Sequence, residues 1–110
     1  IRDISPRLKD SFDLVVVDVA FISLSKIIED IEFVTKKEGH IIMLYKPQFE
    51  VGRLNISKNG LVKKQADTQN TLSNFLNSLE TSSLYFIKSR NAHITGKKGN
   101  QEIFIHLKKR

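Results

Sequence analysis

Three residues sit where a strand-and-helix chain could do chemistry: Asp18, Lys46 and Glu102. An amine beside carboxylates suits proton removal from a weakly acidic hydroxyl. A lysine is a useful base only when burial or neighbouring cations pull its pKa down; carboxylates do the opposite, but they orient the amine. One positive and two negative charges leave the trio with surplus negative charge, which a further cation would balance. Taken singly, Asp18 reads as a helix cap or a ligand of loop amides, Lys46 as a solvated strand end, and Glu102 as a surface residue. The functional reading rests on their convergence.

Rival chemistries find less support. His40, His93 and His106 lack metal-ligand spacing and the chain has no cysteine, so no metal is expected. Asp18 ends an apolar run as a nucleotide-binding aspartate would, but no G-x-x-x-x-G-K-[ST] accompanies it. No G-x-S-x-G marks a serine nucleophile.

Convergence requires particular elements. Asp13–Val19 holds the continuously apolar, mostly β-branched run Leu14-Val15-Val16-Val17, which predicts a parallel strand covered on both faces. Leu24, Ile27, Ile28, Ile31 and Val34 recur at helical spacing, with Ser23 or Ser25 as cap. Lys36 and Lys37 are expected in that helix's last turn, and Gly39 to close it in a left-handed conformation. Ile41–Tyr45 predicts a second buried strand, ending at Lys46 because Pro47 cannot continue the ladder.

Residues 47–63 read as a long loop, of the kind that more often serves function than decoration. A helix is expected over roughly residues 65–80, with Leu72, Phe75, Leu76 and Leu79 on one face. Leu84–Ile87 and Ile103–Leu107 predict two more strands, joined by the basic loop 91–100. Alternating strands and helices imply right-handed parallel crossovers, and the helix-free final connection implies an antiparallel last strand. Ligands of open α/β sheets bind outside the carboxyl ends of the parallel strands. Asp18 and Lys46 end the first two strands and Glu102 begins the antiparallel one, so all three fall on that edge.

The 110 residues allow one modest domain. Hydrophobic residues at 40% and charged residues at 27% describe a globular chain. A net charge of +6 favours an anionic partner, nucleic acid being the commonest, against the plainer alternative of a basic soluble protein. Absence of cysteine fits a reducing, cytoplasmic setting. Ile41–Tyr45 is far too short to cross a bilayer, so no membrane partner is expected. The chain begins at Ile1 and its one methionine is Met43, which is expected of an excised fragment.

Four segments together carry a resemblance. Asp18-Val19-Ala20-Phe21-Ile22-Ser23-Leu24 is similar to the D-V-S-F-I-S-L segment of the hemolysin A/TlyA family. Lys46-Pro47-Gln48-Phe49-Glu50, followed by Gly52-Arg53, resembles its K-P-Q-F-E-x-G-R, and Asn59-Gly60-Leu61-Val62 the G-V-V element after it. Gly96-Lys97-Lys98-Gly99-Asn100-Gln101-Glu102 resembles G-x-x-G-N-x-E. These run in the family's order over residues 13–107; Ala20 and Asn91-Ala92-His93 depart from it.

The resemblance implies an FtsJ-like ribose methyltransferase that uses S-adenosylmethionine to methylate the 2′-hydroxyl of cytidines in ribosomal RNA. The implied fold is α/β: the C-terminal half of a Rossmann-like methyltransferase domain, its fourth to seventh strands. Residues 1–110 would be one partial domain, without the family's S4-like domain and cofactor glycine loop. The implied catalytic residues are Asp18, Lys46 and Glu102, the last three of a Lys-Asp-Lys-Glu tetrad whose first lysine lies upstream.

Asp18 is also the expected cofactor contact; Arg53, Lys97 and Lys98 are expected to meet RNA. The fragment alone is expected to be inactive, and its exposed first-strand edge to be covered by a second copy. Two other readings are a non-catalytic RNA-binding or ribosome-assembly module and, from the family's historical name, a membrane-lytic hemolysin. No amphipathic basic helix supports the latter.

Overall fold

A computed structural model describes residues 4–93 and 99–110. The chain runs β1 (Phe12–Val17), a 3-10 turn (Leu24–Lys26), α1 (Ile28–Val34), β2 (Thr35–Tyr45), α2 (Gln65–Ser78), β3 (Leu84–Asn91) and β4 (Ile103–Lys109). The strands form one sheet in the order β1-β2-β4-β3. β1 pairs parallel to β2, while β4 runs antiparallel to both β2 and β3. β1, β2 and β3 are therefore mutually parallel, with the last strand wedged between β2 and β3. This is the α/β architecture expected from the sequence, parallel strands plus a final antiparallel one.

Both crossovers step across the sheet in the same direction. Right-handed connections then place both helices on one face. On that face Ile41, Met43 and Tyr45 of β2 and Ile103, Ile105 and Leu107 of β4 are buried. Leu24, Ile27 and Ile31 pack on them from the first crossover, Phe75 and Leu79 from the second. The alternation is strict, with every second residue turned inward, as a pleated strand requires.

The other face is open, which corrects the expectation for β1. Val17 is buried, but Leu14 and Val16 are 57% and 70% exposed. No helix among the described residues covers them, so the apolar run of β1 is covered on one side only. His40 and His106 share this open face, their ring nitrogens Nδ1 and Nε2 2.9 Å apart.

The end of α1 also differs from expectation. The helix stops at Val34, three residues before Lys37. Thr35 Oγ1 donates to the Ile31 carbonyl at 2.6 Å. The cation that closes the helix comes from β4: Lys109 Nζ donates to the carbonyls of Glu32 at 2.7 Å and Thr35 at 2.9 Å. Lys36 and Lys37 instead lie in an irregular opening of β2. There Phe12 pairs with Thr35 and Leu14 with His40, so β2 spends three more residues than β1.

Glu38, not Gly39, takes the left-handed conformation, at φ 70°. Gly39 is needed for space: a Cβ there would lie 2.8 Å from both the Lys36 carbonyl oxygen and Thr35 Cγ2. The 47–63 segment is more ordered than a plain loop. It holds 3-10 turns at Pro47–Phe49 and Arg53–Asn55 and a bridge between Ile56 and Val62. Among the described residues no helix is long and apolar enough to cross a membrane.

Gly39→Ala is expected to destabilise the fold by about 1–3 kcal/mol, the usual cost of forcing an atom into filled space. Urea unfolding reads this as a lower midpoint at unchanged slope.

Candidate active site

Three strand ends build the site. β1 stops at Val17 and delivers Asp18. β2 stops at Tyr45 and delivers Lys46, because Pro47 has no N–H with which to extend the ladder. In the antiparallel register Tyr45 faces Ile103, so the next step outward sets Lys46 beside Glu102. All three residues thus emerge at the carboxyl edge of the parallel strands.

Lys46 and Asp18 form an ion pair, Nζ to Oδ1, of 2.6 Å. The lysine side chain is only 17% exposed and the aspartate 63%. Asp18 therefore reaches from solvent to a sheltered amine, and its second oxygen has no hydrogen-bond partner among the described residues. An ion pair this open adds only about 0–1 kcal/mol to stability. Its consequence is geometric: it fixes where the Lys46 nitrogen stands.

Glu102 is 8% exposed. Its Oε2 accepts a hydrogen bond from Gln48 Nε2 at 2.9 Å. The other end of that amide, Gln48 Oε1, is buried without a partner among the described residues. Glu50, from the same segment, turns towards the β1–α1 connection. Its Oε1 accepts from Ser23 Oγ at 2.7 Å and its Oε2 from the Leu24 N–H at 2.9 Å. Burial raises the Glu50 carboxyl above the usual carboxylate value, against the pull of those two donors. Tyr45 anchors the strand end to α2 by donating to Thr71 Oγ1 at 2.6 Å. Burial pushes its phenol up to about 12, so it stays a donor.

Two of these features carry no signal in the local sequence. Gln48 and Glu50 belong to the segment that carried the resemblance, but their partners are 54 and 26 or 27 positions away. No local pattern signals such contacts. The second feature is an aromatic pair at the same edge. Phe21 takes φ 63°, an outlier for a bulky residue, and is 87% exposed. Its ring centroid lies 5.0 Å from that of Phe49.

Of the residues expected to meet RNA, Arg53 is exposed on the 3-10 turn that follows this segment. No ion pair holds it among the described residues. Lys97 and Lys98 lie outside the described residues. Asn100 is buried and ties its own segment to the 57–62 loop, accepting from the Val62 N–H at 2.9 Å and donating to the Gly60 carbonyl at 2.8 Å.

Gln48→Leu removes the hydrogen-bond partner of a buried carboxylate and is expected to cost about 1.5–3 kcal/mol, the range for a hydrogen bond to a charged group. Denaturant unfolding checks this, with an unchanged midpoint as the contrary result.

Comparison with known proteins agrees with this fold. The model of the FtsJ-like methyltransferase family matches residues 1–109. The 23S rRNA (cytidine-2′-O)-methyltransferase TlyA of Campylobacter jejuni is 32% identical over 101 residues, which are 91% of this chain and 39% of that protein. The 16S/23S rRNA (cytidine-2′-O)-methyltransferase TlyA of Mycobacterium tuberculosis is 27% identical over 96 residues, covering 87% of this chain and 36% of its own length. A solved structure from Lactococcus lactis that carries the hemolysin name superposes with a TM-score of 0.89 at 28% identity, over 99% of this chain and 53% of that one. The chain thus spans well under half the length of these two curated relatives. By a family match over nearly its whole length, the chain belongs to the FtsJ-like methyltransferases.

Proposed function

We propose that this chain supplies the catalytic half of an S-adenosylmethionine-dependent enzyme that methylates the 2′-hydroxyl of cytidine in ribosomal RNA. The observation that carries the reading is the 2.6 Å Lys46–Asp18 pair beside a buried Glu102 at the carboxyl edge of the sheet. Two relatives with rRNA cytidine-2′-O-methyltransferase names support the substrate class.

The residues present fit one part of S-adenosylmethionine. The Asp18 oxygen that lacks a partner among the described residues and the negative surplus of the trio complement a sulfonium cation, and Asp18 would hold it. The cofactor brings a methyl group on positively charged sulfur. Lys46 receives or steers the proton of the ribose 2′-hydroxyl. Asp18 keeps the Lys46 nitrogen in place, and Glu102, itself held by Gln48, adds negative charge beside it. Positioning of this kind can be worth about 7–11 kcal/mol of a barrier.

The charge surplus and the buried Gln48 Oε1, without a partner among the described residues, both suit one more cationic donor. In this reading a lysine of an upstream half fills that role. That half also brings the cofactor loop and an S4-like domain, and residues 1–110 alone are inactive.

RNA meets the same edge. Phe21 offers an exposed ring already backed by Phe49, on which an unstacked base can lie. Arg53, Lys97 and Lys98 supply charge to the phosphates, and the surplus of +6 gives the association its salt dependence. Such a protein works in the cytoplasm on ribosomal subunits. The free edge of β1, with its exposed Leu14 and Val16, is a pairing surface that a second copy covers when the upstream strands are missing.

In the full-length protein Lys46→Ala is expected to lower methyl transfer from labelled S-adenosylmethionine to unmodified ribosomal subunits at least 100-fold, with an unchanged circular dichroism spectrum. Near-normal turnover would remove Lys46 from the mechanism. Phe21→Ala is expected to raise KM for the subunit several-fold; an unchanged KM would remove the ring from RNA contact.

A further inference from the structure

The geometry points to Glu50 as a positioning residue, one that acts on the reacting groups only through the loop it holds. This rests on the methyl-transfer reading above and goes beyond it, since Glu50 touches neither Lys46 nor Asp18 among the described contacts.

Residues 18–24 join β1 to the first turn without regular structure and carry both Asp18 and Phe21, while Val19 and Ile22 rest against the core. One end is fixed by β1. The other end is fixed by Glu50, whose two oxygens take the Ser23 hydroxyl at 2.7 Å and the Leu24 N–H at 2.9 Å. Between these anchors Phe21 is held at a positive φ and its ring rests on Phe49. A bulky residue keeps such a conformation only when its surroundings over-determine it.

Glu50 lies in the same short turn as Lys46 and Gln48. Positions 46, 48 and 50 thus engage, in order, Asp18, Glu102 and the far end of the Asp18 loop. One turn sets the distances among all the parts of the site.

A purely local role, capping the 3-10 turn at Leu24, makes different predictions. Ser23 already caps that turn by accepting from the Ser25 N–H at 3.3 Å. The Glu50 carboxylate is a tie from 26 positions away, and its loss would release the loop without unfolding the sheet.

The test uses the full-length protein with Glu50→Ala, Glu50→Gln and Ser23→Ala, alone and in pairs. Gln is the conservative replacement. Its amide oxygen can accept from Leu24 N–H and its NH2 can donate to the Ser23 hydroxyl, so both contacts survive without the charge. Positioning predicts that Glu50→Ala lowers kcat roughly 10- to 100-fold, since a displacement near 1 Å can cost that much. Glu50→Gln should restore kcat to within about threefold of the unsubstituted protein, by the same argument. Ser23→Ala should lower kcat less in the Glu50→Ala background than it does alone, because the contact the two share is already lost there.

Glu50→Ala within threefold of normal overturns the proposal. So does a folded Glu50→Gln as impaired as Glu50→Ala, which would assign the role to charge. The amide proton of Leu24, followed by NMR, should shift upfield and exchange faster in Glu50→Ala while the Ile41 and Ile105 amides stay protected; an unmoved Leu24 signal also overturns it. Absence of methyl transfer by the unsubstituted protein overturns the parent reading instead, and the Leu24 signal still decides whether the tie exists.

Discussion

Pro47 has no N–H to give, so the β2–β4 ladder closes at the Tyr45–Ile103 pair and the chain turns into a 3-10 helix at the sheet edge. That termination places Lys46 beside Glu102 and aims Gln48 and Glu50 at two other segments. Were β2 one pair longer, Lys46 would be a ladder residue and its neighbours would alternate across the sheet. The partners that the turn engages come from the β1 end and from the residue before β4. The site is therefore a property of three strand ends held in register, not of any one loop.

The same register explains the energetics. Ile41, Met43 and Tyr45 alternate inward opposite Ile105 and Leu107, and the cluster has essentially no exposure. A slip of one residue in β2 would turn this set outward and break the pairing of Lys46 with its neighbours at once. Core burial and site geometry are thus enforced together. The ion pair at the site adds little to stability by itself, so its geometry depends on the sheet.

The strand-end positions of Asp18, Lys46 and Glu102 were legible in sequence because apolar runs end where charges begin. The antiparallel last strand was legible from a connection with no helix in it. Gly39 was misleading: a glycine after two lysines looks like a helix stop, yet here it clears space for β2 against β1 while Glu38 takes the left-handed turn. The apolar continuity of β1 predicts two covered faces, but both helices lie on one. The ties of Gln48 and Glu50 were invisible because sequence patterns report periodicity, and these contacts join residues 26 to 54 positions apart.

The reaction proposed for this arrangement is transfer of a methyl group to a ribose oxygen. The direct test is to incubate the full-length protein with labelled S-adenosylmethionine and unmodified ribosomal subunits, digest the RNA to nucleosides and identify the labelled product by mass. Label in 2′-O-methylcytidine is the expected result. Label on a base, or none in RNA at all, would contradict it.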